Sequence, residues 1–230
     1  MTARRPFGIL ALGLVLTCSH GTNPPATVAP PSPGQCGPSG DAVASDVKAL
    51  NLLKNREAGP GDINGAISLP ALLQPGNDAA RFSTADGVEL EAVVYDVLVG
   101  GIETANCHAT DAANRDTHIE LVVDGSHTAP AQRIISEVTP RWRVMAAAAG
   151  LDWSTTALTA LKGRRVRLRG WMLYDFEHAG ASENTAPGKA GNWRASAWEI
   201  HPITSITVLP GAPLDASRWN DGHPGDDERE

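Results

Sequence analysis

Two short segments of the chain place His residues beside carboxylates at the spacing of a β-strand. One contains Asp116, His118 and Glu120, and the other contains Glu199 and His201. Side chains at positions i and i+2 of a strand point to the same face, so each set is expected to share a face. Imidazole and carboxylate groups together suit zinc, iron or manganese. If the two faces converge, the sequence therefore predicts a divalent-metal site. Its residues would be Asp116, His118, Glu199 and His201.

The alternative is that the same groups only anchor loops. His201 precedes Pro202 at a strand bend, and Asp116 follows a polar turn at 109–115. No two His residues have the HxH or HExxH spacing that identifies many metal sites, and the sequence has no serine-nucleophile elbow, P-loop or dinucleotide fingerprint. The sequence therefore identifies no catalytic residue, and both interpretations of the His segments stay open.

A second candidate site is a basic strand. Its Arg residues alternate with apolar residues, so three Arg and one Trp share a face, next to a polar loop at 180–191 that ends in another Trp-Arg pair. Positive charge and aromatic rings on one strand are features with which proteins bind single-stranded nucleic acid or an oligosaccharide. The predicted ligand-binding residues are Arg165, Arg167, Arg169, Trp171, Trp193 and Arg194.

The competing interpretation of the basic strand is a solvated outer face. Glu89 and Glu91 lie on another predicted strand and could form cross-strand pairs with these Arg residues. The net charge also argues against general nucleic-acid binding, because it is −7 for the whole chain. An argument for nucleic acid must therefore rest on a local patch.

The N-terminal residues predict export. Arg4 and Arg5 precede an apolar run, Phe7–Leu16, that is too short to span a bilayer. We predict a signal peptide at 1–19, followed by a disordered Pro-rich linker at 20–40. The mature protein is expected in the periplasm or outside the cell, either released after Ser19 or anchored by lipid through Cys18. No later segment is apolar enough to cross a membrane.

Cysteine usage agrees with an oxidising compartment. Once Cys18 is removed or lipidated, Cys36 and Cys107 remain and can form one disulfide. That bond would attach the N-terminal arm to the main domain. The alternative makes Cys107, beside His108, a nucleophile or a metal ligand.

Alternating apolar residues predict a mainly β domain at 85–209. We expect strands near 87–98, 117–123, 133–138, 164–176 and 193–209, a helix at 141–149 capped by Thr139, and a short helix at 151–162. An N-terminal α/β extension at 41–84 carries a helix and a short strand beginning at Ile63. The remaining residues, 210–230, predict a disordered acidic tail.

This order of elements matches the five-stranded Greek-key OB-fold, which has a helix between strands 3 and 4. The segments Gly87–Val94, Gly163–Trp171 and those around His108, His118 and His201 resemble uncharacterised exported bacterial proteins with an OB-fold-like domain. The resemblance implies an OB-like barrel but no particular activity. We expect a non-catalytic binding module for single-stranded nucleic acid or a glycan. The alternatives are a metal-dependent hydrolase using His118, Asp116, Glu199 and His201, and a module that binds an envelope protein. The oligomeric state stays open.

Overall fold

The computed structural model describes residues 36–219, and their main feature is a closed barrel of five strands. Neighbouring strands follow the order β1-β2-β3-β5-β4, and a helix lies between β3 and β4, which confirms the predicted OB-like barrel. The strands are β1 Gly87–Val99, β2 Thr117–Val122, β3 Ile134–Val138, β4 Arg165–Tyr174 and β5 Trp198–Val208. The helices are α1 Ser45–Lys54, α2 Leu69–Leu72, α3 Pro140–Ala148 and α4 Thr155–Leu158.

The alternation of apolar and charged residues decides which side of each strand faces the core. In β1, Val88, Leu90 and Ala92 are buried, whereas Glu89 and Glu91 are exposed. The same rule in β2, β3 and β5 directs alternate residues inward, where the apolar side chains form one continuous core. The inward residues of these three strands include Ile119, Leu121, Ile134, Val138, Trp198 and Ile200.

The barrel closes through a parallel contact between β3 and β5. Ser136 pairs with Ile200, so the next residues along the two strands, Glu137 and His201, are neighbours on the outer face. Strand β4 packs closely against β5 where β5 bends at Pro202. A Cβ atom on Gly170 would lie 2.5 Å from the carbonyl oxygen of Pro202, so only glycine is accommodated there. Strand closure therefore determines what surrounds His201.

Side-chain caps begin the helices that follow β3. Thr139 Oγ1 accepts a hydrogen bond from Trp142 N at 3.3 Å, and Pro140 occupies the first turn of α3, as predicted. Ser154 Oγ caps α4 by accepting from Ala157 N. The helix predicted at 151–162 is shorter than expected, because α4 gives way to the 3₁₀ turn Thr159–Leu161.

The extension before the barrel differs from the prediction in one element. The helix expected within 41–56 is α1, but the strand expected after Ile63 is not formed. Ser68 Oγ instead accepts from Ala71 N at the start of α2, which buries Leu69 and Leu72 against the core. Capping and burial outweigh the local β-pattern here. The last strand also begins later than the expected residue 193, at Trp198.

Several predictions concern residues outside 36–219. The signal peptide at 1–19, Cys18, most of the linker at 20–40 and the end of the tail at 210–230 lie outside the described residues. Among the helices found between residues 36 and 219, none has the length and apolar character needed to cross a membrane.

Candidate metal centre

One side of the barrel buries charged residues on its outer face. Some of these residues point away from the core on β2, β3 and β5 or lie just before β2. The others belong to the segments that cover them: α1, the turn around residues 103–106 and residues 175–194. All of them except the half-buried Glu103 are buried. We call this set the polar cluster: Lys54, Glu103, Asp116, His118, Glu137, Asp175, Arg194, Glu199 and His201.

His201 is the centre of the polar cluster, and its side chain is fully buried. Its Nδ1 atom donates to Glu199 Oε1 at 3.0 Å and lies 3.7 Å from Glu137 Oε2. Its Nε2 atom faces Asp116, at 3.4 Å from Oδ2. Three carboxylates thus surround one imidazole ring, and Glu199 occupies Nδ1 while Nε2 is directed at Asp116.

Asp116, Glu137 and His201 form a set of potential metal ligands. Each offers one ligand atom, and these three atoms all lie within 4.8 Å of one another. A point between three such atoms lies at most about 2.8 Å from each of them, compared with about 2.0–2.2 Å for zinc bound to nitrogen or oxygen. Shifts of less than an ångström would therefore bring all three atoms to ligand distance.

The same three residues carry buried polar atoms without hydrogen-bond partners among the described residues. These atoms are both oxygens of Asp116, Oε2 of Glu137 and Nε2 of His201. A buried polar atom without a partner costs about 1–3 kcal/mol, so proteins rarely leave one. Four such atoms on three neighbouring side chains point to a bound group that satisfies them together.

A chain of charged hydrogen bonds leads from His201 to the surface. Glu199 Oε2 accepts from Arg194 Nη2 at 2.8 Å, and Arg194 Nη1 donates to Asp175 Oδ2 at 3.1 Å. Asp175 in turn accepts from His178 Nδ1 at 2.6 Å, and the His178 side chain is about one-third exposed, at 32%. This chain holds Glu199 in place, and Glu199 orients the His201 ring, as a carboxylate commonly does for a ligating His.

The pKa shifts follow from burial and from this ring of carboxylates. Burial by itself would lower the pKa of His201, but Glu137, Asp116 and Glu199 raise it to about 10. Burial raises the pKa of Glu137 well above its ordinary value, and the charges of Glu199, Glu103 and Asp116 raise it further. The pKa of Asp116 is lowered despite its burial, chiefly by the close approach and the charge of His201. Without a metal, His201 therefore holds a proton at neutral pH.

Residues from the N-terminal extension complete the cover over the site. Lys54 Nζ donates to Glu103 Oε2 at 2.5 Å, and the charges of Glu103, Asp175 and Glu137 raise the pKa of Lys54 against the effect of burial. Asn106 is buried next to Asp116 and lowers the pKa of its carboxyl group. The cover is thus polar, and it contributes positive charge above the carboxylates.

Of the four metal ligands predicted from the sequence, the structure places two in the set of three potential ligands and two beside it. Asp116 and His201 belong to the set of three, whereas Glu199 contacts the other ring nitrogen of His201 and is paired with Arg194. His118 lies beside the remaining ligand, with Nδ1 3.8 Å from Glu137 Oε1. The two segments on β2 and β5 therefore do converge, and Glu137 lies between their His residues.

Glu120 belongs to a separate buried group on the same face of β2. Its Oε2 lies 3.3 Å from Arg133 Nη1, and Arg133 also donates to the hydroxyl of Tyr95 at 3.1 Å. The ring of Tyr95 stacks on Trp219, with 5.1 Å between ring centroids. This group attaches the C-terminal segment to the barrel, apart from the polar cluster.

Sequence reasoning missed Glu137 as a potential ligand. The pattern of 133–138 indicates only a strand, although Glu137 is its one carboxylate. In the predicted barrel order β3 lies beside β5, so an outward carboxylate near the end of β3 could have been placed next to His201. For Lys54 the sequence gives no such signal. The helical spacing of α1 does not indicate that this Lys is buried beneath another segment of the chain.

The basic strand has the predicted shared face, and its residues have partners on that face. Arg167 donates to Glu91 at 2.6 Å, and Arg169 donates to the carbonyl oxygen of Pro60 at 2.6 Å. Trp171 Nε1 donates to the carbonyl oxygen of Ala58 at 2.7 Å. Arg165 is exposed.

The other two predicted ligand-binding residues lie elsewhere. Trp193 and Arg194 are buried, at 4% and 1% exposure, and the Trp193 ring packs between those of His118 and His178. Their side chains belong to the interior that covers β2 and β5.

Cys36 and Cys107 form a disulfide bond, as the cysteine count predicts. The bond joins the start of the described chain to the turn that follows β1. Cys107 is therefore neither a free thiol nor a metal ligand in this structure.

Fold and site together define a protein class: an OB-like five-stranded barrel with a buried His–carboxylate cluster on its outer face. Comparison of the chain with protein-family models, with curated proteins and with solved structures gives no match.

Proposed function

We propose that this protein binds one divalent cation through Asp116, Glu137 and His201. The observation that carries the proposal is the convergence of buried polar atoms without hydrogen-bond partners on these three side chains. One imidazole and two carboxylates are a donor set suited to Zn²⁺, Mn²⁺ or Fe²⁺.

The surroundings of the three ligands support the proposal. With Nδ1 of His201 bound to Glu199, Nε2 is the nitrogen left for a cation. A divalent cation would replace the proton on His201 and offset the charges of Asp116 and Glu137, which otherwise repel each other in a buried space. Glu137 lies on β3, His201 lies on β5 and Asp116 immediately precedes β2, so the cation would also cross-link the barrel at its β3–β5 closure.

Metal titration of the purified protein tests the proposal. After chelator treatment, we expect one equivalent of Zn²⁺ or Mn²⁺ to bind per chain, measured by calorimetry and elemental analysis. Saturation at about a hundred times Kd should stabilise the fold by about 2.7 kcal/mol. Asp116→Asn, Glu137→Gln and His201→Gln should each weaken binding by at least tenfold.

Glu120→Gln is the matched control, because Glu120 is equally buried on the same face but pairs with Arg133. It should keep one equivalent of metal at nearly the affinity of the unaltered chain. Absence of stoichiometric metal, or retention of full affinity in all three ligand variants, would overturn the proposal.

Binding of an extended ligand by the basic strand stays a prediction from the sequence. Arg165 and Arg167 are the exposed members of the predicted set, and Arg167 already pairs with Glu91. Oligonucleotide binding that weakens steeply with salt and is lost in an Arg165→Glu/Arg167→Glu variant would support it. Metal-dependent hydrolysis, an envelope partner and export likewise remain predictions.

A further inference from the structure

We propose that the Cys36–Cys107 disulfide closes the access route to the metal site, so that its reduction speeds metal exchange. This inference rests on the proposed metal binding and adds a redox control to it. It follows from a small cavity, from the position of the disulfide in the cavity wall, and from the contacts that hold the cover in place.

The cavity lies beside Cys36 of the disulfide and Asn106 of the turn that covers the site. It measures about 10 Å³, close to the smallest space that holds one water molecule. Its wall includes Cys36, Asn55, Asn106, Asn114 and Arg141. Asn106 is buried in the turn that also carries Glu103, whose carboxylate pairs with Lys54 in the polar cluster. A hydrated divalent cation is larger than this cavity, so the wall must move before a cation can pass.

Two of the segments that form the wall are joined by the disulfide. Residues 36–55 and 103–107, which we call the cover, are linked by this bond across 71 positions of sequence. Hydrogen bonds add to it: Asn55 Nδ2 donates to the carbonyl oxygen of Ala105 at 3.0 Å, and Asn51 Nδ2 donates to Thr104 Oγ1 at 3.0 Å. The disulfide is the covalent link in a cover otherwise held by polar contacts.

The turn that carries Cys107 favours opening once the bond is broken. Cys107 and His108 both have left-handed backbone conformations, with φ of 53° and 51°. Residues other than glycine adopt this region rarely, so the turn relies on its surroundings to persist. Cys107 is also half-buried and followed by the exposed His108, whereas Cys36 is buried. A thiolate would therefore attack the sulfur of Cys107.

The reductant is a dithiol of the thioredoxin-like class. Its thiolate attacks Cys107 Sγ, the Cys36–Cys107 bond breaks, and Cys36 Sγ leaves as a thiolate that takes up a proton. The second thiol of the reductant then resolves the mixed disulfide and releases Cys107 as a thiol. Two electrons and two protons pass to the protein, and the reductant becomes a disulfide. None of these steps involves the metal ligands.

Exchange kinetics with Mn²⁺ test the proposal, because Mn²⁺ has little affinity for the thiols that reduction creates. Association is followed by Trp fluorescence and dissociation by transfer to excess chelator. The full chain is compared before and after treatment with a phosphine reductant, and with a Cys36→Ser/Cys107→Ser variant. We expect both rate constants to rise at least tenfold in the reduced protein and in the variant, with Kd changed less than threefold.

Equal acceleration of both rate constants distinguishes a gate from damage to the site, which would change Kd. Asn114→Ala should also accelerate exchange, because it widens the cavity while leaving the disulfide and the ligands intact. Asn64→Ala, on an exposed turn, is its control and should change nothing. This pair decides the result if the Cys variant fails to fold.

The outcomes separate the two proposals. Unchanged rate constants in the reduced protein and in Asn114→Ala would overturn the gate while leaving metal binding intact. A raised Kd with an unchanged association rate would also overturn it, since the disulfide would then only support the ligands. A protein that binds no Mn²⁺ in either redox state contradicts the metal site itself.

Discussion

Two outer faces of the same barrel carry charged residues at the same period-two spacing, but their environments are opposite. On β1 and β4, Arg167 and Glu91 lie in water with nearly half of each side chain exposed. On β3 and β5, Glu137 and His201 are buried beneath other parts of the chain. The difference shows that the alternation of apolar and charged residues identifies the outward face of a strand. The connecting segments determine whether that face is exposed to solvent.

The two faces use charge differently as a result. On the exposed face, cross-strand pairs such as Glu91 with Arg167 are screened by solvent and contribute little. In the polar cluster, each charge has lost its water and depends on its partners. Polar atoms without hydrogen-bond partners are therefore informative in the cluster, because these atoms are buried away from bulk solvent.

The largest expected difference between the faces is the effect of removing one Arg. Arg194→Met leaves Glu199 and Asp175 buried without their shared cation, and breaking such a pair costs about 3–5 kcal/mol. Arg167→Met on the exposed face should leave the free energy of unfolding close to that of the unaltered chain. Urea denaturation of both variants measures the contrast. Equal losses would show that the burial of the cluster has no energetic consequence.

The second difference concerns pH. The pKa of His201 is raised to about 10, so the folded protein holds this proton more tightly than the unfolded chain does. The stabilisation is complete below the ordinary His pKa of about 6.5, and it is lost as pH rises toward 10. Metal-free protein should therefore lose on the order of a few kcal/mol of unfolding free energy between pH 7 and pH 10.

His201→Gln provides the comparison for this pH effect. The variant should be less stable at pH 7 but should show a much flatter profile up to pH 10. His127→Gln, which changes an exposed His beside Asp124, should keep the full alkaline loss. If His201→Gln showed the same alkaline loss as the unaltered chain, the cluster would not hold this proton.

The exposed face was predictable from sequence, and the buried face only in part. Arg165–Trp171 and Glu89–Glu91 alternate regularly, so their strands, faces and pairing follow from local pattern. The convergence of Asp116 with His201 depends instead on the register of the parallel β3–β5 contact, which is set by barrel closure. Glu137 was missed for the same reason.

The cover over the site was not predictable, because it depends on contacts between segments far apart in sequence. Lys54 meets Glu103 across 49 positions, and no spacing within α1 indicates this contact. The mistaken strand after Ile63 shows a similar limit, since burial of Leu69 and Leu72 in the shared core overrode the local alternation. Local pattern thus predicts elements and faces, while long-range contacts determine the environment of each face.

The smallest expected effect separates the faces by their response to salt. Glu91→Arg places like charges opposite each other on β1 and β4, which should lower the unfolding free energy slightly at low ionic strength. The Debye length falls from about 30 Å at 0.01 M to about 3 Å at 1 M, so salt should erase this loss. The Arg194→Met loss should persist at 1 M salt, because buried charges are screened by salt much less than exposed ones. Urea denaturation of both variants at the two salt concentrations measures this, and a salt-sensitive Arg194→Met loss would mean that the cluster is open to solvent.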